Sequence, residues 1–255
     1  MTTMNNPFDL HEKVALITGG GSGLGLAMAR CFVASGAMVL IAGKTETKLK
    51  DAVTELGENA SYLVADITAP GSARDLVRAC SDRYGGLDIL VNNAGNHVKK
   101  PILDTNAEDI QTILDTHVMA AFELSREAMP VMKLRGGGSI LFIASMASYL
   151  SVPQVIGYTV AKSAVLGLVR GVAAEVSLDG IRVNGIAPGW IETPMTAKAL
   201  DNDPARKNKI LTRTPMGKMG KPEDIGWAAT YLASDAAAFV NGHVLVVDGG
   251  ALNGF

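Results

Sequence analysis

Seven short runs in which almost every residue is apolar punctuate the chain: VALIT (14–18), MVLIA (38–42), SYLVA (61–65), DILVN (88–92), SILFIA (139–144), IRVNGIA (181–187) and HVLVVD (243–248). Between them lie longer stretches such as LGLAMARCFVAS, ARDLVRACSDRY and AVLGLVRGVAAEVS, whose apolar residues recur at helical spacing. A strand that is apolar on both faces is buried on both, and alternation of such strands with helices marks a parallel sheet covered on each side. The pattern therefore predicts an α/β fold, a doubly wound parallel sheet with helices on both faces. No linker, charge block or repeat divides residues 1–255, so a single domain is expected. The stretch TAKALDNDPARKNKILTRTPMGKMGKPED is polar and weakly periodic, and reads as a mobile lid at about 194–220.

Composition narrows the partners. With 255 residues, 48% of them apolar, the chain can build a substantial core. A net charge of −2 without a basic stripe argues against nucleic acid or an anionic membrane as partner, so a small molecule is expected. Cys31 and Cys80 match no metal spacing, so no metal site is expected, and they suit a reducing compartment as small core residues. The opening MTTMNNPFDLHEK lacks a basic segment followed by an apolar run, and no apolar stretch reaches about 18 residues without a charge or helix breaker. A cytoplasmic protein is expected.

In such sheets, ligands bind beyond the carboxyl ends of the strands. The loop after the first run is TGGGSGLG (18–25), where Gly19, Gly23 and Gly25 let the backbone approach a phosphate and the following helix offers unpaired N–H groups to an anion. Its glycine register departs from G-x-G-x-x-G, and a tight strand–helix turn needs glycine too. YTVAK (158–162) stacks Tyr158 and Lys162 on one helical face. An ammonium beside a phenol favours the phenolate, which makes the pair able to exchange a proton with an alcohol or carbonyl oxygen near neutral pH. Ser145 ends the SILFIA run, thirteen residues upstream, where its hydroxyl can orient the same oxygen. In isolation the pair reads as a half-buried aromatic and a surface lysine; its coincidence with the glycine loop and Ser145 shifts the reading to chemistry.

TGGGSGLG, NNAG (92–95), Ser145, YTVAK and APGWIETPM (187–195), in this order and at these spacings, resemble the short-chain dehydrogenase/reductase family over roughly Phe8 to Gly250. The resemblance implies a seven-stranded, single-domain Rossmann fold, hydride transfer with a nicotinamide cofactor and a homotetramer. It makes Tyr158 the general acid/base, with Lys162 lowering its pKa and holding the cofactor ribose, and Ser145 stabilising the substrate oxygen. Gly19, Ser22, Gly23, Leu24 and Gly25 would meet the cofactor, as would Ile67, Asn93, Ala94 and Gly95. Asp66 would meet the adenine, while Pro188, Gly189, Ile191 and Thr193 would frame the carboxamide. Asn92 to Gly95 also reads as a turn that packs the sheet, and Asp66 as a helix N-cap.

A relative that uses NAD typically carries an acid after the second strand, to bind the ribose 2′-hydroxyl. That position falls on Gly43, followed by Lys44, able to pair with a 2′-phosphate, and Thr45, able to donate a hydrogen bond. NADP(H) is favoured, with NAD(H) second because Glu46 lies close by. Where the family supplies an asparagine associated with a water-linked proton path, this chain has His117 in ILDTHVMAAF. Either the side chain shapes a local helical irregularity by bonding a neighbouring main-chain group, or the imidazole joins the relay; the first is favoured, since a second cation beside Lys162 would be repelled. No G-x-S-x-G elbow exists, and none of His11, His97, His117 or His243 is an evident partner for Ser145, which argues against a hydrolase. The expected reaction interconverts a ketone and a secondary alcohol, and the resemblance points to a 3-oxoacyl thioester or a keto-sugar acid of the gluconate 5-dehydrogenase type. An NAD(H)-dependent sugar or polyol dehydrogenase and a non-catalytic NADP(H)-sensing regulator are the alternatives. Substrate shape would be set by the lid and its Met195, Met216 and Met219.

Overall fold

A computed structural model describes residues 6–200 and 203–254. The seven apolar runs form β1 (Val14–Thr18), β2 (Met38–Gly43), β3 (Ala60–Val64), β4 (Ile89–Asn92), β5 (Gly138–Ile143), β6 (Ile181–Pro188) and β7 (Val244–Val247). They pair in parallel in the order β3-β2-β1-β4-β5-β6-β7.

Alternation along each strand explains why both faces had to be apolar. Ala15, Ile17, Val39, Ile41, Ile89, Val91 and Leu141 point to one layer, packed against Met28 and Phe32 of α1 (Gly23–Ala34), Leu49 of α2 (Glu46–Leu56) and, later in the chain, Ile225 and Leu232. Leu16, Leu40, Leu90, Ile140 and Phe142 point to the other, against Leu76 of α3 (Ser72–Tyr84) and residues further along the chain that include Leu124, Val165 and Val169. A period of two on a sheet covered twice leaves no position for a polar face.

The remaining helices are α4 (Ala107–Leu114), α5 (Ala120–Leu134), α6 (Ile156–Val176), α7 (Pro194–Leu200), α8 (Pro204–Arg213) and α9 (Pro222–Ala233). Asn106 starts α4 with a reciprocal cap, accepting from the Asp109 N–H while the Asp109 carboxylate accepts from its own. One π-helical turn, Asp115–Met119, joins α4 to α5. Among the described residues, the segment Ile156–Asp179, which contains α6, is the one stretch of helix long and apolar enough to cross a membrane by length and composition. It carries Lys162, Arg170 and Glu175 and packs on β6 and α4, as the core helix of a folded domain does. The weakly periodic segment read as a lid holds two helices, α7 and α8, the second started by Asp203, whose carboxylate accepts the Arg206 N–H, with Pro204 at its first position.

Candidate active site at the carboxyl ends of the strands

The winding of the chain across the sheet reverses between the parallel strands β1 and β4, since β1 continues to β2 on one side while β4 continues to β5 on the other. A crevice opens at such a switch point, beyond the strand ends. Here it is a cleft of about 350 Å³ lined by the glycine loop, the loop after β4, and Ser145, Tyr158 and Lys162.

Thr18, the last residue of β1, ties the two loops together. Its hydroxyl donates to the Val91 carbonyl and accepts the N–H groups of Asn93 and Ala94, while the Asn93 carboxamide returns a bond to the Thr18 carbonyl. Asn93 therefore packs the sheet and lines the cleft at once. Asn92 turns inward and donates to Ser125.

The glycine loop leads into the start of α1. Gly23 has φ 56, and a Cβ on it would meet nothing closer than Thr193 at 3.9 Å, so the space above it is open. Ser22 makes no side-chain cap, and the first turn of α1 holds no acid. An uncapped helix start facing an open cleft suits an anion, and a dinucleotide pyrophosphate matches it. Gly25 serves packing instead: a Cβ there would lie 2.3 Å from the Gly19 carbonyl oxygen.

Ser145 sits at the end of β5 in extended conformation, its Oγ accepting the Ala147 N–H at 3.1 Å. Tyr158 and Lys162 lie one turn apart on α6, with Lys162 Nζ 5.5 Å from the Tyr158 ring centroid. Lys162 is buried and donates to the Ile143 carbonyl at 2.5 Å, while Ser148 fixes the helix by donating to the Lys162 carbonyl. Burial lowers the Lys162 ammonium to about 7, within reach of proton exchange near neutrality. The Tyr158 phenol is pushed above its usual value by burial, with Ser145 pulling the other way. In this arrangement the Lys162 ammonium donates to the Ile143 carbonyl and not to the phenol.

His117 occupies the middle of the π-helical turn, buried, with Nε2 2.7 Å from the Asn96 carbonyl oxygen. Its ring meets that of Tyr158 edge-on, centroids 5.5 Å apart at 86°. Burial, and then the Lys162 charge, lower its pKa to about 3, which keeps the imidazole neutral at physiological pH. His117 thus sits in a helical irregularity and contacts a main-chain group, the two features named in the first reading of this residue.

Of the residues read from the sequence, Gly19, Ser22, Gly23, Leu24, Asn93, Ala94, Gly95, His117, Pro188, Gly189, Ile191 and Thr193 line the cleft with the three polar residues. Lys44 and Ile67 line an adjoining cavity of about 460 Å³. Gly43 ends β2, and Thr45 is the N-cap of α2 with its hydroxyl unused in capping. Asp66 does not cap α3, which begins at Ser72; it accepts the Thr68 N–H and hydroxyl and pairs with Lys44. Met216 is exposed and Met219 lines a neighbouring cavity that shares Thr193, Pro194 and Thr196 with the cleft, while the Met195 side chain lies outside the described part. Sequence reasoning did not single out Thr18, Ser148 or Thr196. Thr196 lines the cleft and, with Thr193, closes a hydroxyl network that ends on the Ile191 carbonyl.

A glycine loop at the switch point, a serine at the end of β5 and a Tyr-x-x-x-Lys on the next long helix meet in one cleft. Residues 19–251 match the family model described as enoyl-(acyl carrier protein) reductase, and the chain belongs to the short-chain dehydrogenases/reductases. It is 38% identical over 247 residues to the uncharacterised oxidoreductase YgcW of Escherichia coli, covering 96% of this chain and 94% of that one. It is 36% identical to gluconate 5-dehydrogenase of Gluconobacter oxydans, covering 97% and 98%. The crystal structure of a gluconate 5-dehydrogenase from Burkholderia cenocepacia in complex with NADP and tartrate superposes with a TM-score of 0.91 at 34% identity, covering 98% of each chain.

Proposed function

We propose that this protein interconverts a ketone and a secondary alcohol with NADP(H), using Tyr158 as general acid/base. The observation that carries the reading is the placement of Tyr158 in one cleft with Ser145, Lys162 and the open start of α1. When bound, the nicotinamide cofactor supplies or accepts the hydride. In the reducing direction the Tyr158 hydroxyl gives its proton to the carbonyl oxygen as the carbon gains the hydride; in the oxidising direction the phenolate takes it back. Ser145 donates to the same oxygen and fixes its position. Lys162, near 7, restores the proton to Tyr158 and stabilises the phenolate while it exists. Gly19, Ser22, Gly23, Leu24, Asn93, Ala94 and Gly95 hold the cofactor along the loops, with Pro188, Gly189, Ile191 and Thr193 at its nicotinamide end. Lys44 and Thr45 read the 2′-phosphate beside the start of α2, Gly43 leaves it room, and Asp66 and Ile67 meet the adenosine.

The substrate class we favour is a keto-sugar acid. The segment at 194–220 acts as the lid, and α8 within it carries Arg206, Lys207, Lys209 and Arg213 and no acid, a surface suited to a carboxylate. Arg206 is held over Trp190, 5.7 Å from the ring centroid, next to the cleft residues Gly189 and Ile191. The names of the Gluconobacter and Burkholderia relatives support this choice over a 3-oxoacyl thioester. A homotetramer in the cytoplasm belongs to the same reading: Phe122 on α5, Ile156 and Val160 on α6 and Trp227 on α9 are exposed apolar surface for subunits to cover, and Cys31 and Cys80 are free.

The test is NADPH oxidation by the purified protein over keto-sugar acids, their uncharged keto-sugar counterparts and 3-oxoacyl thioesters, with Tyr158→Phe alongside. Turnover of the acids that Tyr158→Phe lowers by about a hundredfold or more supports the reading, in the range expected of an acid/base group. Cofactor binding with no turnover of any carbonyl would instead indicate a non-catalytic sensor.

A further inference from the structure

The His117 ring is gripped on three sides. Nε2 lies 2.7 Å from the Asn96 carbonyl oxygen and 3.2 Å from the Asn96 nitrogen. One nitrogen cannot both donate and accept, so the shorter contact assigns the proton to Nε2 and makes it the donor. On the second side is Gly95, where a Cβ would fall 2.4 Å from His117 Cε1; the imidazole occupies the volume a side chain would take. The third side is Tyr158, met edge to face at 86°. The π-helical turn places the ring at this meeting point.

We propose that His117 is a positioning residue for Tyr158: anchored to the Asn96 carbonyl and seated against Gly95, its ring is the fixed wall that holds the plane of the phenol. The inference rests on the reading of Tyr158 as the acid/base. Lys162 approaches the Tyr158 ring from its own position on α6, with its ammonium committed to the Ile143 carbonyl, so the lysine steers charge and does not brace the ring. The brace comes from a different element, and its far end is fastened to the backbone next to Ala94 and Gly95, which line the cofactor cleft. Small displacements of a reacting group cost rate out of proportion to their size, so a wall of this kind shows in turnover more than in binding.

The variants His117→Asn and His117→Phe separate the two halves of the device. Asparagine keeps a polar partner for Asn96 and removes the aromatic edge; phenylalanine keeps the edge and removes the hydrogen bond. Thermal midpoint and NADPH titration establish that each is folded and binds cofactor. We expect kcat of His117→Asn to fall about tenfold, the upper range for loss of one edge-to-face contact, and that of His117→Phe to fall only about twofold. Cofactor Kd and both limbs of the pH–rate profile should stay in place for His117→Asn. If His117→Phe loses as much turnover as His117→Asn, or if His117→Asn shifts the acidic limb, the proposal is overturned, in favour of the hydrogen bond in the first case and a titrating imidazole in the second. Should His117→Phe not fold, unchanged kcat in His117→Asn alone overturns it. Failure of the functional reading looks different: Tyr158→Phe would retain activity whatever stands at 117.

Discussion

Lys44 Nζ stands 2.7 Å from Asp66 Oδ2. The two follow neighbouring strands, β2 and β3, and each was expected to meet a separate part of a bound adenosine. The pair is largely solvent-exposed and so is held weakly. Hydrogen bonds from Lys44 first, and then Thr68, hold the Asp66 carboxyl down at about 2, so it remains charged and competes with any phosphate for the lysine.

Lys44→Ala should weaken NADPH by roughly tenfold, the loss expected of one charge-assisted hydrogen bond at an exposed site, and leave NADH nearly unchanged. Fluorescence titration at two salt concentrations checks it, with the difference shrinking at high salt. Equal affinities of the unaltered protein for the two cofactors would remove Lys44 from cofactor choice.

Gly43→Asp should turn the preference toward NADH. A Cβ at 43 meets nothing nearer than Leu49 Cδ2 at 3.6 Å, so the side chain is tolerated, and its carboxylate would accept from ribose hydroxyls while repelling a 2′-phosphate. The ratio of kcat/KM for NADPH and NADH should invert; an unchanged ratio would place the phosphate elsewhere.

Thr18→Val keeps the shape of the side chain and strips the hydroxyl that accepts two N–H groups from the loop after β4. The two donors are part-buried, and leaving each unpaired costs about 1 kcal/mol, the low end for such groups, so urea unfolding should show a loss of about 2 kcal/mol. Weaker cofactor binding should accompany it, since the two loops share that hydroxyl. Thr18→Ser should restore both.

Acid should destabilise the protein through His117. Its folded pKa of about 3 lies below the ordinary value of 6.5. Between these values the unfolded chain carries the proton and the folded one does not, so stability falls as pH drops from about 6.5 toward 3, by at most about 1.4 kcal/mol per pH unit. Lys162 acts in the same sense higher up, its folded value of about 7 lying below the ordinary 10.5, so stability rises from about pH 7 toward 10. Urea midpoints between pH 4.5 and 6.5 should show a shallower acid slope for His117→Asn; parallel slopes would mean that His117 is protonated in the folded chain.

All seven strands were legible because each is apolar on both faces, a demand that only a doubly covered sheet makes, and their ends moved by no more than a residue or so. Tyr158, Lys162 and Ser145 were legible because a helix face and a strand end fix them locally. The Lys44–Asp66 pair was not, since it joins residues 22 positions apart through the pairing of β2 with β3. Nor was the inward seat of His117, which depends on one extra residue in a helical turn and on the missing side chain of Gly95. The helix at 204–213 carried its signal openly in Asp203 and Pro204, but α8 buries only Ile210 among its described residues, so its apolar period was too faint to read.

The order of strands gives synthesis a direction. Residues up to 92 suffice for β3, β2, β1 and β4, including both strands that Thr18 joins, whereas Ser145, Tyr158 and Lys162 are translated afterwards. Until β5 arrives, β4 is an open edge carrying Ile89, Leu90 and Val91, all buried in the finished fold, the kind of edge through which nascent chains stick to one another. A chain cut off between residues 92 and 138 therefore holds a half-sheet at its most adhesive, and protease digestion of such truncated chains should find the first four strands already protected.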